Sequence, residues 1–210
     1  MLIFWIIFFE IAVLYFCAST LLRCRIATPR IAWLAFALML IGAVVNNYAV
    51  YKGVSSVMMT SYVPMMAEQS FYLGLILFAV GALIGCFVFF GTLVVAKRDK
   101  TYEGWVPLVT FGAITAAIIA VFTIASGAII LIPTWLLSLG VIDKVDPLIY
   151  RMIWWAFGHS SQQINVAAHV SVWYLVAAVV FGAKPMSERV SRGAFLLYIL
   201  FLQLASAHHL

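Results

Sequence analysis

Charge is what this sequence has least of. Only 9% of its 210 residues are charged and 66% are apolar, with a mean hydropathy of +1.14. A soluble domain cannot be built on so little charge, since such surfaces draw on roughly a quarter charged residues. The composition places the chain in a membrane. The net charge of +5 forms no run, stripe or tail, which leaves nucleic acid without a basic footprint to bind. Cysteine is scarce too. Cys17, Cys24 and Cys86 are odd in number and lack metal-type spacing, so they read as small packing residues. No repeat, linker or soluble domain breaks the chain, and residues 1–210 read as one transmembrane domain.

What is present is a series of long apolar runs. About 20 apolar residues cover a hydrocarbon core of about 30 Å, and six stretches meet or approach that length. They predict an all-α, polytopic bundle of six transmembrane helices over about 2–22, 31–48, 69–96, 106–132, 147–182 and 193–210. The first run has no basic segment before it and Arg23 and Arg25 after it, so it reads as a mature helix and not a signal peptide. Trp33, Trp105, Trp135 and Trp154 fall near span ends, where amphipathic rings favour the membrane interface.

The basic residues predict orientation. Arg23, Arg25 and Arg30 follow the first helix; Lys97, Arg98 and Lys100 follow the third; Lys184, Arg189 and Arg192 follow the fifth. Those three loops belong on the cytoplasmic side, which puts both ends of the chain outside. The expected location is a plasma membrane, prokaryotic by this reading, with lipid as the surrounding partner.

Against this background WWAFGHSSQQINVAAH, residues 154–169, is unusually polar. A polar stripe within a span must face protein, water or a bound group, and an intramembrane histidine is a functional-site hypothesis by default. The four histidines are His159, His169, His208 and His209. Asp146-Pro147 is a good N-cap and N1 pair for helix five, so His159 lies about 18 Å below that start and His208 and His209 about 24 to 26 Å up helix six. These depths converge in the outer half of the membrane. Three convergent imidazoles suit copper, zinc or iron; the alternative is that they are ordinary hydrogen-bonded residues and the terminal His-His-Leu is trivial. His169, about 15 Å deeper, cannot share the site and reads as a packing residue.

These residues resemble the catalytic subunit I of the heme–copper oxidase superfamily, B-type. Gly158-His159 is similar to that family's Gly-His-Pro-x-Val-Tyr, and His208-His209, about 50 residues on, to its His-His. FYLG at 71–74, PLVTF at 107–111, DPL at 146–148, Trp154-Trp155 and AFLLYIL at 194–200 also look like family text. The resemblance covers nearly the whole chain and implies that His159, His208 and His209 hold copper opposite a heme iron. It also implies about twelve helices, of which these six look like the second to the seventh. The heme ligands would then come from the rest of the catalytic subunit or a second chain, and electrons from an electron-transfer subunit, cytochrome c or quinol.

The sequence departs from the family pattern where the chemistry is decided. Ser160, Gln162 and Gln163 stand where the resemblance implies Pro, Val and Tyr, so Gln163 replaces the tyrosine that family oxidases use near copper. Leu202, with Gln203 beside it, occupies the position of the C-type tyrosine. Gln162 and Gln163 become the candidate catalytic residues, hydrogen-bonding bound gas or water, and copper without a nearby tyrosine resembles the copper-containing nitric oxide reductases. The expected function is part of a heme–copper oxidoreductase reducing NO or O₂. The competing readings are a non-catalytic membrane subunit or remnant, and a six-helix transporter with its polar site on helix five.

Glu10 is expensive in lipid and is expected to face the bundle. Asn46 and Asn47 read as caps near a helix end, Gly81 and Gly85 as a helix contact, and Ser171 and Tyr174 as an optional extension of a polar path from Gln163.

Overall fold

The computed structural model describes residues 2–55, 57 and 61–209, with side chains at 2, 3, 202, 203, 206 and 208 outside the description. Among the described residues six α-helices follow one another: α1 Leu2–Ser19, α2 Pro29–Tyr51, α3 Gln69–Arg98, α4 Leu108–Ser138, α5 Pro147–Phe181 and α6 Glu188–Ala205. A 3₁₀ turn, Ser206–His209, continues α6. Four of these helices, α2 to α5, are long and apolar enough to cross a membrane, and Phe4–Ser19 is a shorter apolar helix. The protein is an all-α integral membrane bundle, and its many exposed large apolar side chains, Trp5, Phe87, Val94 and Phe122 among them, suit a surface in lipid.

The helix ends follow local chemistry. Pro29 and Pro147 occupy first-turn positions, where the missing N–H costs nothing. The Asp146 carboxylate accepts from the backbone N–H of Leu148 and Ile149, and α5 stops at Gly182 in the left-handed conformation (φ 62°). Lys97 and Arg98 sit in the last turn of α3, where cations complement the helix dipole.

Several ends differ from expectation, two of them by five residues or more with local chemistry to read. Helix four was expected to stop near Pro133, yet α4 runs on to Ser138 with the proline inside it. Proline removes one donor, the N–H that would reach the Ile129 carbonyl, a loss that a helix in a membrane bundle can tolerate; the Thr134 hydroxyl, on the next residue, bonds back to the Ile130 carbonyl at 2.7 Å. Helix six begins at Glu188 instead of 193, because Ser187 caps it: its hydroxyl oxygen accepts from the Val190 N–H at 3.3 Å. At its far end the α-helix gives way to the 3₁₀ turn, whose steeper rise of about 2.0 Å per residue carries His209 onward.

α4 is central, touching α1, α3, α5 and α6, while α2 lies outside it, packed along α3. Alanines make the core thin: Ala113, Ala116, Ala117 and Ala120 of α4 meet Ala167 and Ala168 of α5 and Cys17, Ala18 and Cys86. Small residues let helix backbones approach when lipid supplies no hydrophobic drive for association. Gly81 and Gly85 both make contacts, but with different partners: Gly81 meets Ala35 and Met39 of α2, Gly85 meets Ile11 and Tyr15 of α1. Asn46 is no helix cap. It is buried and donates across to the Phe71 carbonyl of α3 at 3.0 Å, while Asn47 bonds back to Ala43. All three cysteines are free, with Cys17 and Cys86 buried.

Arg192 is more than a loop charge. Its guanidinium donates to the Val106 carbonyl and to Glu188 and lies 4.9 Å from the Phe111 ring centroid. It clamps the start of α6 against α4, and so fixes the helix whose other end carries the histidine pair.

Candidate metal centre

α5 descends through Trp154, Trp155, Gly158 and His159, spaced so that Trp155 and His159 share one face a turn apart. Gly158 is required by its own helix: a Cβ there would run into the Trp154 ring. Trp154 is buried beneath Tyr62, ring centroids 6.2 Å apart, so it is a packing residue and not the interfacial ring expected from its place near a span end. The loop before α3 is thereby pressed onto the N-terminal end of α5, and the Tyr150 hydroxyl shares a hydrogen bond of 2.9 Å with Ser61.

The 3₁₀ turn after α6 returns to this face. The Nε2 atoms of His159 and His209 lie 2.7 Å apart. Trp155 stacks on His209, with ring centroids 3.9 Å apart and planes 6° from parallel, and sits 5.1 Å from His159. Two imidazole nitrogens so close must share something between their lone pairs, a proton or a metal. Nitrogens bound tetrahedrally to one metal at about 2.0–2.1 Å each are separated by roughly 3.3 Å, so a shared ion would require the two rings to move apart by about 0.6 Å. Neutral imidazole is a good ligand for copper, zinc and iron, and the donor set fits the expected copper. His208 is in the same turn, but its side chain lies outside the described residues. Among the described residues no three histidine, cysteine or carboxylate side chains form a group.

The other expected site residues separate from this pair. Gln163, half-buried, is one turn below His159, and Gln162 is exposed. His169 is exposed, with Nδ1 2.7 Å from the Asn165 carbonyl oxygen, and remains away from the pair as its depth required. Ser171 turns back to the Ala167 carbonyl, and Tyr174 donates to Ser191 of α6. The positions of Leu202 and Gln203 offer no side-chain description. Sequence reasoning missed Trp155. Its signal was the spacing of four to His159, which on a helix stacks one ring over the next.

The chain can now be set beside known proteins. The family model described as Cytochrome C and Quinol oxidase polypeptide I matches residues 1–210. Cytochrome c oxidase subunit 1 of Thermus thermophilus is 28% identical over 182 residues, covering 84% of this chain and 32% of that protein. A heme-copper terminal oxidase solved by cryo-EM as a dimer superposes with a TM-score of 0.91 at 27% identity, over 99% of this chain and 36% of that one. This chain thus spans about a third of the length of the relatives it matches. The match over every residue, with the same helix arrangement, shows that the chain belongs to the cytochrome c and quinol oxidase polypeptide I family, the subunit I family of the heme–copper oxidases.

Proposed function

We propose that this chain carries the copper-holding part of a membrane heme–copper oxidoreductase that reduces a small diatomic gas. The observation that carries the reading is the 2.7 Å approach of His159 Nε2 to His209 Nε2 across 50 residues of sequence. His159 and His209 would hold the copper with His208 as third ligand; copper, when bound there, supplies one-electron chemistry at the gas site. Trp155 fixes the His209 ring by stacking. The heme ligands come from the rest of the catalytic subunit or a second chain, and the electrons from a cytochrome c or quinol donor. Both ends of the chain lie outside by the positive-inside rule; reporter fusions after Arg25 and Lys100 should report the cytoplasm, and the reverse pattern defeats that orientation.

Within this reading the substrate is NO in preference to O₂. Splitting O₂ in one step takes four electrons at the site, whereas coupling two NO to N₂O and water takes two electrons and two protons. A tyrosine one turn below the metal histidine could supply an electron and a proton; Gln163 supplies neither. Its amide can only donate and accept hydrogen bonds, orienting bound gas or water. The matched relatives are named as oxidases, which keeps O₂ reduction as the second reading.

Two measurements test this. Copper affinity of the full chain should fall by more than about 100-fold in His159→Ala, beyond the 10–100-fold typical of outer partners; unchanged copper binding would remove the site. On the complete enzyme, N₂O production should outpace O₂ uptake in the same preparation, and Gln163→Tyr should shift the ratio toward O₂. Rapid four-electron O₂ reduction with negligible NO turnover would overturn the substrate argument.

A further inference from the structure

Of the seven acidic residues, six lie exposed in loops or at helix ends: Glu68, Asp99, Glu103, Asp143, Asp146 and Glu188. Glu10 is the exception. It lies in the middle of α1, is 4% exposed, and its Oε1 has no hydrogen-bond partner among the described residues. Two more buried polar atoms share this condition on the elements that meet there, the Tyr15 hydroxyl of α1 and the Asn165 side-chain oxygen of α5.

The surroundings are specific. Tyr15 lies against Gly85 of α3, where a Cβ would meet its hydroxyl at 3.6 Å. Cys86, the next residue, is within electrostatic reach of both Tyr15 and Glu10. From α5, Asn165 precedes by one turn His169, whose exposed ring lies 5.8 Å from Phe9, the neighbour of Glu10. α4 contributes apolar residues to this core, Ala113, Ala116, Ala117, Ile119 and Ala120. Tyr15 and Cys86 are thus the titratable groups around Glu10 among the described residues, with His169 beyond Phe9. No cation is placed against it among the described residues.

An isolated carboxylate in such a place would be prohibitively costly, and a buried group of this kind takes up a proton instead. Several orphaned polar atoms around one core are the setting in which buried water is held, since each water needs two to four polar partners. We infer that Glu10 is a proton-holding carboxyl in the interior of the bundle, neutral at rest and exchanging its proton through water bridged by Tyr15 and Asn165. Tyr15 lies on the side of Glu10 toward the end of α1 followed by Arg23 and Arg25, and Ser19, one turn further, bonds back to the Tyr15 carbonyl at 2.7 Å. The inference is independent of the copper reading, since it concerns α1, α3 and the inner part of α5.

The test is infrared spectroscopy of the full chain in lipid at neutral pH. The Arg98 guanidinium hydrogen-bonded to Asp99 holds that carboxyl below the usual carboxylate range. The carbonyl stretch of a neutral carboxylic acid is assigned to Glu10 by its loss when that side chain is replaced. We expect one such band, lost in Glu10→Gln, displaced but retained in Glu10→Asp, and shifted on transfer to D₂O within minutes. Tyr15→Phe and Asn165→Leu should slow that shift at least tenfold while leaving the band. No band in the native chain, a band surviving Glu10→Gln, or a band that does not move in D₂O would each overturn the proposal. Unchanged exchange in both Tyr15→Phe and Asn165→Leu would overturn the water bridge. Should Glu10→Gln fail to fold, Glu10→Asp decides the assignment through the displacement.

Discussion

Along α2 and α3 two backbones touch, whereas along α5 and the end of α6 they are held apart by rings. A Cβ on Gly42 would sit 2.5 Å from both the Gly74 carbonyl oxygen and the Phe78 nitrogen, and one on Gly81 2.6 Å from the Ala35 carbonyl oxygen. At the other seam Trp155, His159 and His209 stack in series. The first seam contributes dispersion contacts between small surfaces, which is what holds helices together when lipid is as apolar as leucine. The second adds polar groups that lipid cannot satisfy, so they must satisfy one another. One seam is scaffold and the other is site, and each should fail in its own way.

Gly42→Leu should have the largest effect. The atoms in its way are backbone of α3 and cannot rotate aside, so the cost belongs at or above the upper end of about 1–3 kcal/mol for overpacking. The measurement is resistance of helix content to denaturing detergent. Gly193→Ala on α6 is the matched control, because nothing lies within 4 Å of the Cβ it adds and alanine suits a helix better by up to about 1 kcal/mol. If the two variants behave alike, close backbone approach is not what secures α2 to α3.

Trp155→Leu should act on the other seam and on binding more than on stability. An aromatic stack is worth about 0.5–1.5 kcal/mol beyond its buried area, so copper affinity should drop roughly twofold to tenfold by the free-energy relation. Trp155→Phe, which keeps a ring face under His209, should recover most of it. Equal copper affinity in Trp155→Leu and the native chain would mean that the His209 ring is positioned by its own turn alone.

The sequence made the two seams unequally legible. Span number and approximate limits follow from apolar run length, a one-dimensional property, and the Asp146-Pro147 start of α5 was readable because a cap is local chemistry. The extension of α4 past Pro133 was not, since it depends on how neighbours re-satisfy a freed carbonyl. The earlier start of α6 at Glu188 had a signal in Ser187-Glu188, obscured by the charged residues around it. His159 and His209 could be paired by depth because rise per residue is constant along an α-helix and the closing 3₁₀ turn adds only about 2 Å to it. Trp155 could not be assigned in the same way: stacking depends on ring orientation, which depth does not contain. Trp154 and Asn46 were misplaced for one reason, namely that nearness to a span end does not tell whether a side chain turns outward or into a neighbouring helix.

Asn46→Leu should produce the smallest effect, and it separates two explanations of the α2–α3 seam. Among the described residues the seam has one side-chain hydrogen bond to the facing backbone, Asn46 Nδ2 to the Phe71 carbonyl at 3.0 Å, and a buried polar bond in lipid is easily assumed to dominate. Measured interhelical bonds of this kind average only about 0.6 kcal/mol. Phe71 lies in the first turns of α3 (Gln69–Arg98), where a carbonyl also accepts from the helix N–H four residues on. Losing the asparagine therefore strips a second lone pair and leaves no orphan, and leucine is close enough in size to fill the space. The expected loss is several times smaller than for Gly42→Leu in the same denaturation assay. Asn46→Asp should cost more than Asn46→Leu, because it sets a carboxyl oxygen against the Phe71 oxygen in place of the donor. If Asn46→Leu instead weakens the protein as much as Gly42→Leu, the seam is held by its one polar bond, and the division between an apolar scaffold and a polar site fails on the scaffold side.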